Sequence, residues 1–319
     1  MSAPVIFELR GKRVYVAGHA GMVGAAIVRR LERENCTIVS ATSRELDLRQ
    51  SEAVERFMAQ TKPEAVFIAA GKVGGIHANS AFPADFLTDN LAIALNTINA
   101  AHHCSVQKLV YLGSSCIYPR LASQPMTPQM LLSGPLEPTN QWYAAAKIAG
   151  IKLCEAYRVQ HGADFVSVMP TNLFGPGDNY HPQDSHVPAA LIQRFHEAKI
   201  NGSPSVSVRG TGSPRREFLS VDDLADACVF VMKRYSDLQF LNVGTGEDIT
   251  IADFARLVAE VVGFGGKIEF DMSRPDGAPR KLLDVGRLTA LGWTAKTSIE
   301  DGFAQTYEWF LQNIASKAA

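Results

Sequence analysis

The chain has 319 residues, 46% of them hydrophobic and 20% charged, with 31 Lys plus Arg against 32 Asp plus Glu. That length suits one large α/β domain or two domains sharing a core, and the composition excludes the disordered and collagenous classes. Balanced charge leaves no global field to attract nucleic acid or an acidic membrane surface, so any anion must be bound by a local cluster.

The opening "MSAPVIFELRGK" lacks the basic start and long apolar stretch of a secretory leader, and no apolar run approaches the ~18 residues of a membrane span. The expectation is a soluble protein, with no membrane partner, whose N-terminus is already strand. "KRVYVAG" at 12–18 is a β-branched run ending in glycine, and "MVGAAIVRRLEREN" behind it places apolar residues at helical spacing. "CTIVSAT" reads as a second strand, followed by a helix from about Glu52 to Thr61 and by "AVFIAAG", apolar on both faces like a central parallel strand. A long helix spans 83–103, "KLVYLGSS" is the next buried strand, a second long helix covers about 142–161, and "FVSVMPTNLFG" is one more strand.

Past Phe174 the polar segment "GPGDNYHPQDSHVP" reads as a functional loop. "VSVRG" and "EFLSVDDLADACVFVMKRY" return to strand and helix, with Ser220 as N-cap, and the C-terminal third mixes short helices and strands. Repeated βα units predict a Rossmann-type, doubly wound parallel sheet with a smaller C-terminal α/β substrate domain. The expected boundaries are 1–172 plus roughly 213–243 for the dinucleotide domain, and 173–212 with 244–319 for the substrate domain.

Gly18, Gly21 and Gly24 in "GHAGMVG" form G-x-x-G-x-x-G between the first strand and first helix. There a pyrophosphate can approach backbone N–H groups at a helix N-terminus, so Gly18, Gly21, Met22, Val23 and Gly24 are expected to touch a dinucleotide. A tight turn required only by packing is the bland alternative. After the second strand, "SATSRELDL" carries Arg44 and Asp47. A basic residue near this point accommodates the extra phosphate of NADP, so NADP(H) is the expected cofactor, with Asp47 and Leu48 beside the adenine.

"YAAAK" sets Tyr143 and Lys147 at i and i+4, one above the other on a helix face. A fixed ammonium lowers a phenol from roughly 10 towards neutrality. With Ser114 ending a strand, the three form the proton-handling side of a carbonyl/alcohol hydride transfer, and Tyr143 and Lys147 are expected to meet the cofactor as well. Two residues past Ser114 stands Cys116, which read alone is either a small buried hydrophobe or a base. The five cysteines (Cys36, Cys104, Cys116, Cys154, Cys228) are odd in number and lack any C-x-x-C pair. They point to a reducing cytoplasm and to no structural metal.

From about Arg13 to about Asn313 the chain resembles the extended short-chain dehydrogenase/reductases. Within them it is similar to the subgroup of epimerase-reductases that act on GDP-linked keto-deoxy sugars. "KVGGI", "LGSSCIYP", "LEPTN", "AKIAGIKLCEAY", "MPTNLFGP", "SHV", "RREF" and "PDGAPRKLLD" carry the resemblance. It implies an enzyme that inverts carbons 3 and 5 of a 4-keto sugar and then reduces carbon 4 with NADPH. It assigns Cys116 as base and His186 as partner acid for inversion, and Ser114, Tyr143 and Lys147 as the reductase triad. It further assigns Thr171, Asn172, Arg194, Arg216 and Lys281 to the GDP-sugar; Arg194 and Arg216 suit its diphosphate, because a guanidinium pairs bidentately with phosphate oxygens, and Arg209 is expected among the contacts around the base or sugar. Arg216 could instead form a structural ion pair near Glu217. Relatives pair through the two long helices, so a homodimer is implied.

The chain departs from the pattern at Ala20, where arginine is usual, at Gln141-Trp142 in place of Glu-Pro, and at Arg209, where an aromatic is frequent. The nearest alternative is an enzyme with the same machinery and a substrate that differs at the carbon-3 hydroxyl. A non-enzymatic NADP(H) sensor is the alternative from another class, and such proteins tend to lose the Tyr/Lys pair that is intact here.

Overall fold

The computed structural model describes residues 3–181, 185–273 and 276–316. Strand β1 (Arg13–Ala17) is the first strand among them, so the described residues 3–12 are not strand, contrary to the expectation for the opening segment. Its β-branched residues suit a pleated backbone buried on both faces. Helix α1 (Met22–Leu31), strand β2 (Thr37–Val39), helix α2 (Ser51–Thr61) and strand β3 (Ala65–Ile68) follow. A short helix α3 (Ile76–Ala81), unforeseen in the sequence, precedes the 21-residue α4 (Pro83–His103), which opens with proline at its first position, where the missing N–H costs nothing. Then come β4 (Lys108–Leu112), the 21-residue α5 (Gln141–His161) and β5 (Phe165–Pro170).

The stretch 165–175, read as one strand, is two: β5, and β6 (Asn172–Phe174). Thr171 donates its N–H to Val243 O at 3.0 Å. The Thr171 hydroxyl and the Asn172 amide both donate to Glu217 O, at 3.2 and 2.8 Å, which bends the chain out of the main sheet. Further on lie α6 (Val187–Ile200), also unforeseen, β7 (Ser205–Arg209), β8 (Arg215–Arg216) and β9 (Phe218–Ser220), the last paired parallel with β6. Helix α7 (Val221–Arg234) is capped by Ser220, whose hydroxyl accepts from Asp222 N–H at 3.3 Å. The chain ends through β10 (Leu241–Val243), β11 (Ile249–Thr250), α8 (Ile251–Val262), β12 (Lys267–Asp271), β13 (Arg280–Lys281), α9 (Gly286–Ala290) and α10 (Ile299–Phe310). Residues 182–184 of the polar loop, together with Arg274 and Pro275, the latter opening "PDGAPRKLLD", lie outside the described residues.

Six parallel strands form the main sheet in the order β10-β5-β4-β3-β1-β2. This is the Rossmann-type architecture. Because β1 has β2 on one side and β3 on the other, successive connections leave in opposite directions, and a crevice opens beyond the carboxyl ends of the strands. Alternating side chains divide the interior in two. Val14, Val16, Phe67 and Val110 pack beneath α1 and α7, while Tyr15, Val66, Leu109 and Tyr111 pack beneath α2, α4 and α5. Each such large side chain contributes about 2 kcal/mol by leaving water. A third, separate core joins Phe174, Phe195, Phe218, Phe254 and Phe303 from α6, β9, α8 and α10. Among the described residues no helix is long and apolar enough to cross a membrane.

Candidate active site

A cleft of about 950 Å³ runs along the carboxyl ends of β1, β3, β4 and β5, reaching from Gly18 to Arg216. At one end the glycine loop forms a cradle. Gly18 has φ +84°, and a Cβ there would sit 2.7 Å from the Ala70 backbone; a Cβ on Gly24 would collide with the Gly18 carbonyl. The loop therefore packs as closely as backbone can. Gly21 precedes α1 with no side chain capping the helix, so the N–H groups opening it, at Met22 and Val23, meet the cleft uncovered. That arrangement fits a dinucleotide pyrophosphate.

In the middle of the cleft, β4 stops at Leu112 and the chain turns through Gly113 to Ser114. The Ser114 hydroxyl accepts from Cys116 N–H at 3.5 Å, capping the tight turn Ser115–Ile117. From α5, Lys147 points back beneath this turn and donates to Leu112 O at 2.9 Å, its ammonium 5.7 Å from the Tyr143 ring centre and 5.1 Å from that of Tyr111. Asn90, buried on α4, fixes the opposite wall by accepting from Lys72 N–H and donating to Lys72 O, both at 3.0 Å. The structure thus brings Ser114, Cys116, Tyr143 and Lys147 into one cluster.

The electrostatics differ from the sequence expectation. Burial pushes the Tyr143 phenol well above its ordinary value, the Cys116 charge adds to the rise, and a hydrogen bond from Ser114 only partly offsets it. Burial likewise takes Lys147 down to about 8, opposed by Cys116. The ammonium was expected to lower the phenol, but withdrawing both groups from water outweighs their mutual attraction. Cys116, 8% exposed, is also raised by burial, against a hydrogen bond with Ser114 and the charges of Lys281 and Lys147. His186, at the N-cap of α6, faces the cleft and is held below its usual range by the protein crowded around it. The resting pair is therefore a thiol and a neutral imidazole.

Among the residues assigned to a substrate, Thr171, Asn172 and Arg216 line the cleft. Thr171 and Asn172 already spend donors on Glu217 O. Arg216 makes no pair with Glu217, whose carboxylate accepts from Gly246 and Leu283 N–H at 2.8 and 3.0 Å; its guanidinium donates to Arg215 O at 2.8 Å. Lys281 on β13 sits close enough to Cys116 and Arg216 for their charges to be felt, and burial lowers it. Arg194 and Arg209 do not line the main cleft. With Asp271 they line a separate recess of about 440 Å³ between α6 and β7, because α6 turns its apolar face to the third core.

On the cofactor side Asp47 and Leu48 line the cleft, while Arg44 is exposed and off its wall. Arg49, which sequence reading passed over, lines it instead. So do Lys72 and Asp178, the latter raised by burial to about 6, partly offset by a hydrogen bond from Asn179 N–H. The i, i+2 spacing of Asp47 and Arg49 was the available signal for the former. Among the described residues no group of three or more metal-ligating side chains converges.

Comparison with known proteins gives a consistent picture. The profile of the NAD dependent epimerase/dehydratase family matches residues 14–244. GDP-L-fucose synthase 1 of Arabidopsis thaliana is 56% identical over 97% of this chain and 96% of its own length. GDP-L-fucose synthase of Escherichia coli K12 is 54% identical over 95% of this chain and 97% of its own. A GDP-L-fucose synthetase from Naegleria fowleri bound to NADP superposes with TM-score 0.88 at 27% identity, covering 99% of this chain and 98% of that one.

Proposed function

The chain belongs to the NAD dependent epimerase/dehydratase family, and we infer that it converts GDP-4-keto-6-deoxy-D-mannose to GDP-L-fucose with NADPH, inverting carbons 3 and 5 and then reducing carbon 4. The observation that carries this reading is the single cleft joining the glycine cradle, the Ser114–Tyr143–Lys147 cluster with Cys116 behind it, and His186 and Arg216 on the far wall. When bound, NADPH supplies the hydride equivalent for the ketone.

The Ser114 hydroxyl and the Tyr143 phenol hold the carbon-4 oxygen, and the phenol delivers the proton that makes it a hydroxyl. Lys147, tied to Leu112 O, keeps a positive charge beside the phenol below its pKa of about 8, steadying the phenolate left behind. The ketone makes the hydrogens on its neighbouring carbons acidic, and inversion requires one group to remove a proton and another to return it on the opposite face. Cys116 and His186 are the pair for this exchange. Burial favours the thiol, so Lys281 and Lys147 matter as the cations that recover a fraction of thiolate. Arg216 and Lys281 serve the substrate's negative charge, and Arg194 and Arg209 extend the positive surface towards the second recess.

The division into a dinucleotide half and a substrate half, near 172, 213 and 243, is part of this proposal and is supported by the separate third core. We assign the protein to the cytoplasm, where five free thiols persist. It pairs as a homodimer through α4 and α5, which pack side by side and carry the exposed Leu95 and Val159; sedimentation would measure the mass. The deciding experiment incubates the protein with the keto sugar and NADPH and identifies the product by NMR. GDP-L-fucose is expected, and a product with unchanged carbons 3 and 5 would remove the epimerase assignment.

A further inference from the structure

The end of the cleft that takes the adenosine ribose is charged in an unexpected way. Arg49 grips Asp47 in a fork, Nε to Oδ1 and Nη2 to Oδ2, both at 2.9 Å, and reaches Asp89 at 3.3 Å with Nη1. Lys72 donates to Asp85 at 2.8 Å and shares Asp89 at 3.3 Å. Two cations are thus divided among three carboxylates, and two of these, Asp47 and Asp89, face the cleft. Thr42 is no free donor, since its hydroxyl and its N–H both go to Glu45 at 2.8 Å. The glycine loop carries a methyl at Ala20, and Arg44 stands off the wall.

A 2′-phosphate carries close to two negative charges and needs an unengaged guanidinium or ammonium to replace its water. Here it would meet a net negative network. Arg49 could turn to it only by abandoning a bidentate partner and leaving the Asp47 carboxylate beside the phosphate. A free ribose diol has the opposite need: its hydroxyls donate, and a carboxylate accepts. We infer that this chain does not select its dinucleotide by the 2′-phosphate: NADH binds and donates hydride as readily as NADPH, with Asp47 accepting from the ribose hydroxyls. The hydride part rests on the proposed reduction; the binding part stands without it.

The test is calorimetric titration of the whole protein with NADH and NADPH, and with AMP against adenosine 2′,5′-bisphosphate, at low and high salt. Dissociation constants within tenfold of one another, with a shallow salt dependence for the 2′-phosphorylated ligands, are the expected result. NADPH tighter by tenfold or more overturns the inference, and loss of that preference in Arg44→Ala would trace it to the exposed guanidinium reaching in. Two gain-of-affinity variants guard against a silent result. Asp47→Asn releases the Arg49 fork and Ala20→Arg adds a cation to the glycine loop, each raising NADPH affinity about tenfold over NADH, the worth of one charged hydrogen bond. If neither variant moves the ratio, this wall does not meet the ribose and the inference fails. No sugar is present in these titrations, so a mistaken substrate assignment leaves their outcome readable. With the keto sugar added, kcat/KM for the two dinucleotides should also agree within tenfold.

Discussion

Ser114 stands two residues past the end of the central parallel strand β4, and Tyr143 and Lys147 stand on the 21-residue helix α5; both elements back onto one apolar core with Tyr111 and Ile151. His186 reaches the same cleft from the start of α6, which packs on the third core around Phe195 and Phe254, and Lys281 comes near Cys116 from a two-residue strand whose follower Leu283 packs in the core beneath α5. The first group handles the carbon-4 oxygen and has its backbone anchors in, or within two residues of, regular structure. The second completes the pair that works on carbons 3 and 5, and its position depends on how two cores are joined. Chemistry that shares a cleft is therefore held by two independent supports, and the two halves of the reaction should come apart under mutation.

The widest separation is expected from Tyr143→Phe. Removing the phenol deletes the proton donor while keeping the ring against Phe86, which meets it edge-on at 6.4 Å. Reduction, followed by NADPH absorbance, should fall about 10³- to 10⁴-fold, the upper range for a positioned general acid. Solvent deuterium should still enter carbons 3 and 5 at a rate within about threefold of the parent. Loss of exchange along with reduction would mean that the phenol also serves inversion and that the two supports are not independent.

Cys116→Ser probes the other half. A hydroxyl keeps the Ser114 contact but does not ionise in the accessible range, so deuterium exchange should drop about 10²- to 10³-fold. The ketone should still be reduced, now on an uninverted sugar. Exchange at the parent rate would return Cys116 to the role of a small buried filler and leave His186 without its partner.

A smaller effect is expected at the joint itself. Glu217 is fully buried; its carboxylate accepts from Gly246 and Leu283 N–H, and its carbonyl takes Thr171 and Asn172. It stitches the end of β5 to the segment carrying Lys281. Glu217→Gln turns an amide donor towards one of those N–H groups and should cost about 2–3 kcal/mol in denaturant unfolding. An unshifted midpoint would show that the two supports are held together elsewhere.

These contrasts also explain what the sequence made legible. The glycine cradle and the two long helices depend on spacing within a few residues, and they appear within about two residues of where periodicity puts them. The break at Thr171 was invisible because it is made by Val243 and Glu217, each more than forty positions away. Helix α6 was passed over because the proline- and aspartate-bearing loop runs directly into it and hides its apolar positions Ile192 and Phe195. Arg44 drew attention through its charge, yet backbone direction after β2 turns Arg49 to the cleft instead. The pKa direction at Tyr143 was missed because burial is a property of the packed site, and the i, i+4 spacing to Lys147 reports only proximity.

The mildest probe is pH, and it bears on both halves at once. Lys147 titrates at about 8, so below that value its ammonium is present and above it the charge is lost. Reduction, as kcat/KM, should therefore decline about tenfold between pH 7 and 9. Cys116 is held above its ordinary value, so over the same range the reactive thiolate is still a growing minority and exchange should rise, by at most about tenfold per pH unit. The rise should be shallower than that limit, because Lys147 is one of the cations that draws the thiol down, and its neutralisation withdraws that help. In Lys147→Met the coupling is gone. The exchange profile should then move to higher pH while keeping its full slope, whereas an unmoved profile would show that Lys281 alone governs the thiol and that the two halves share no charge.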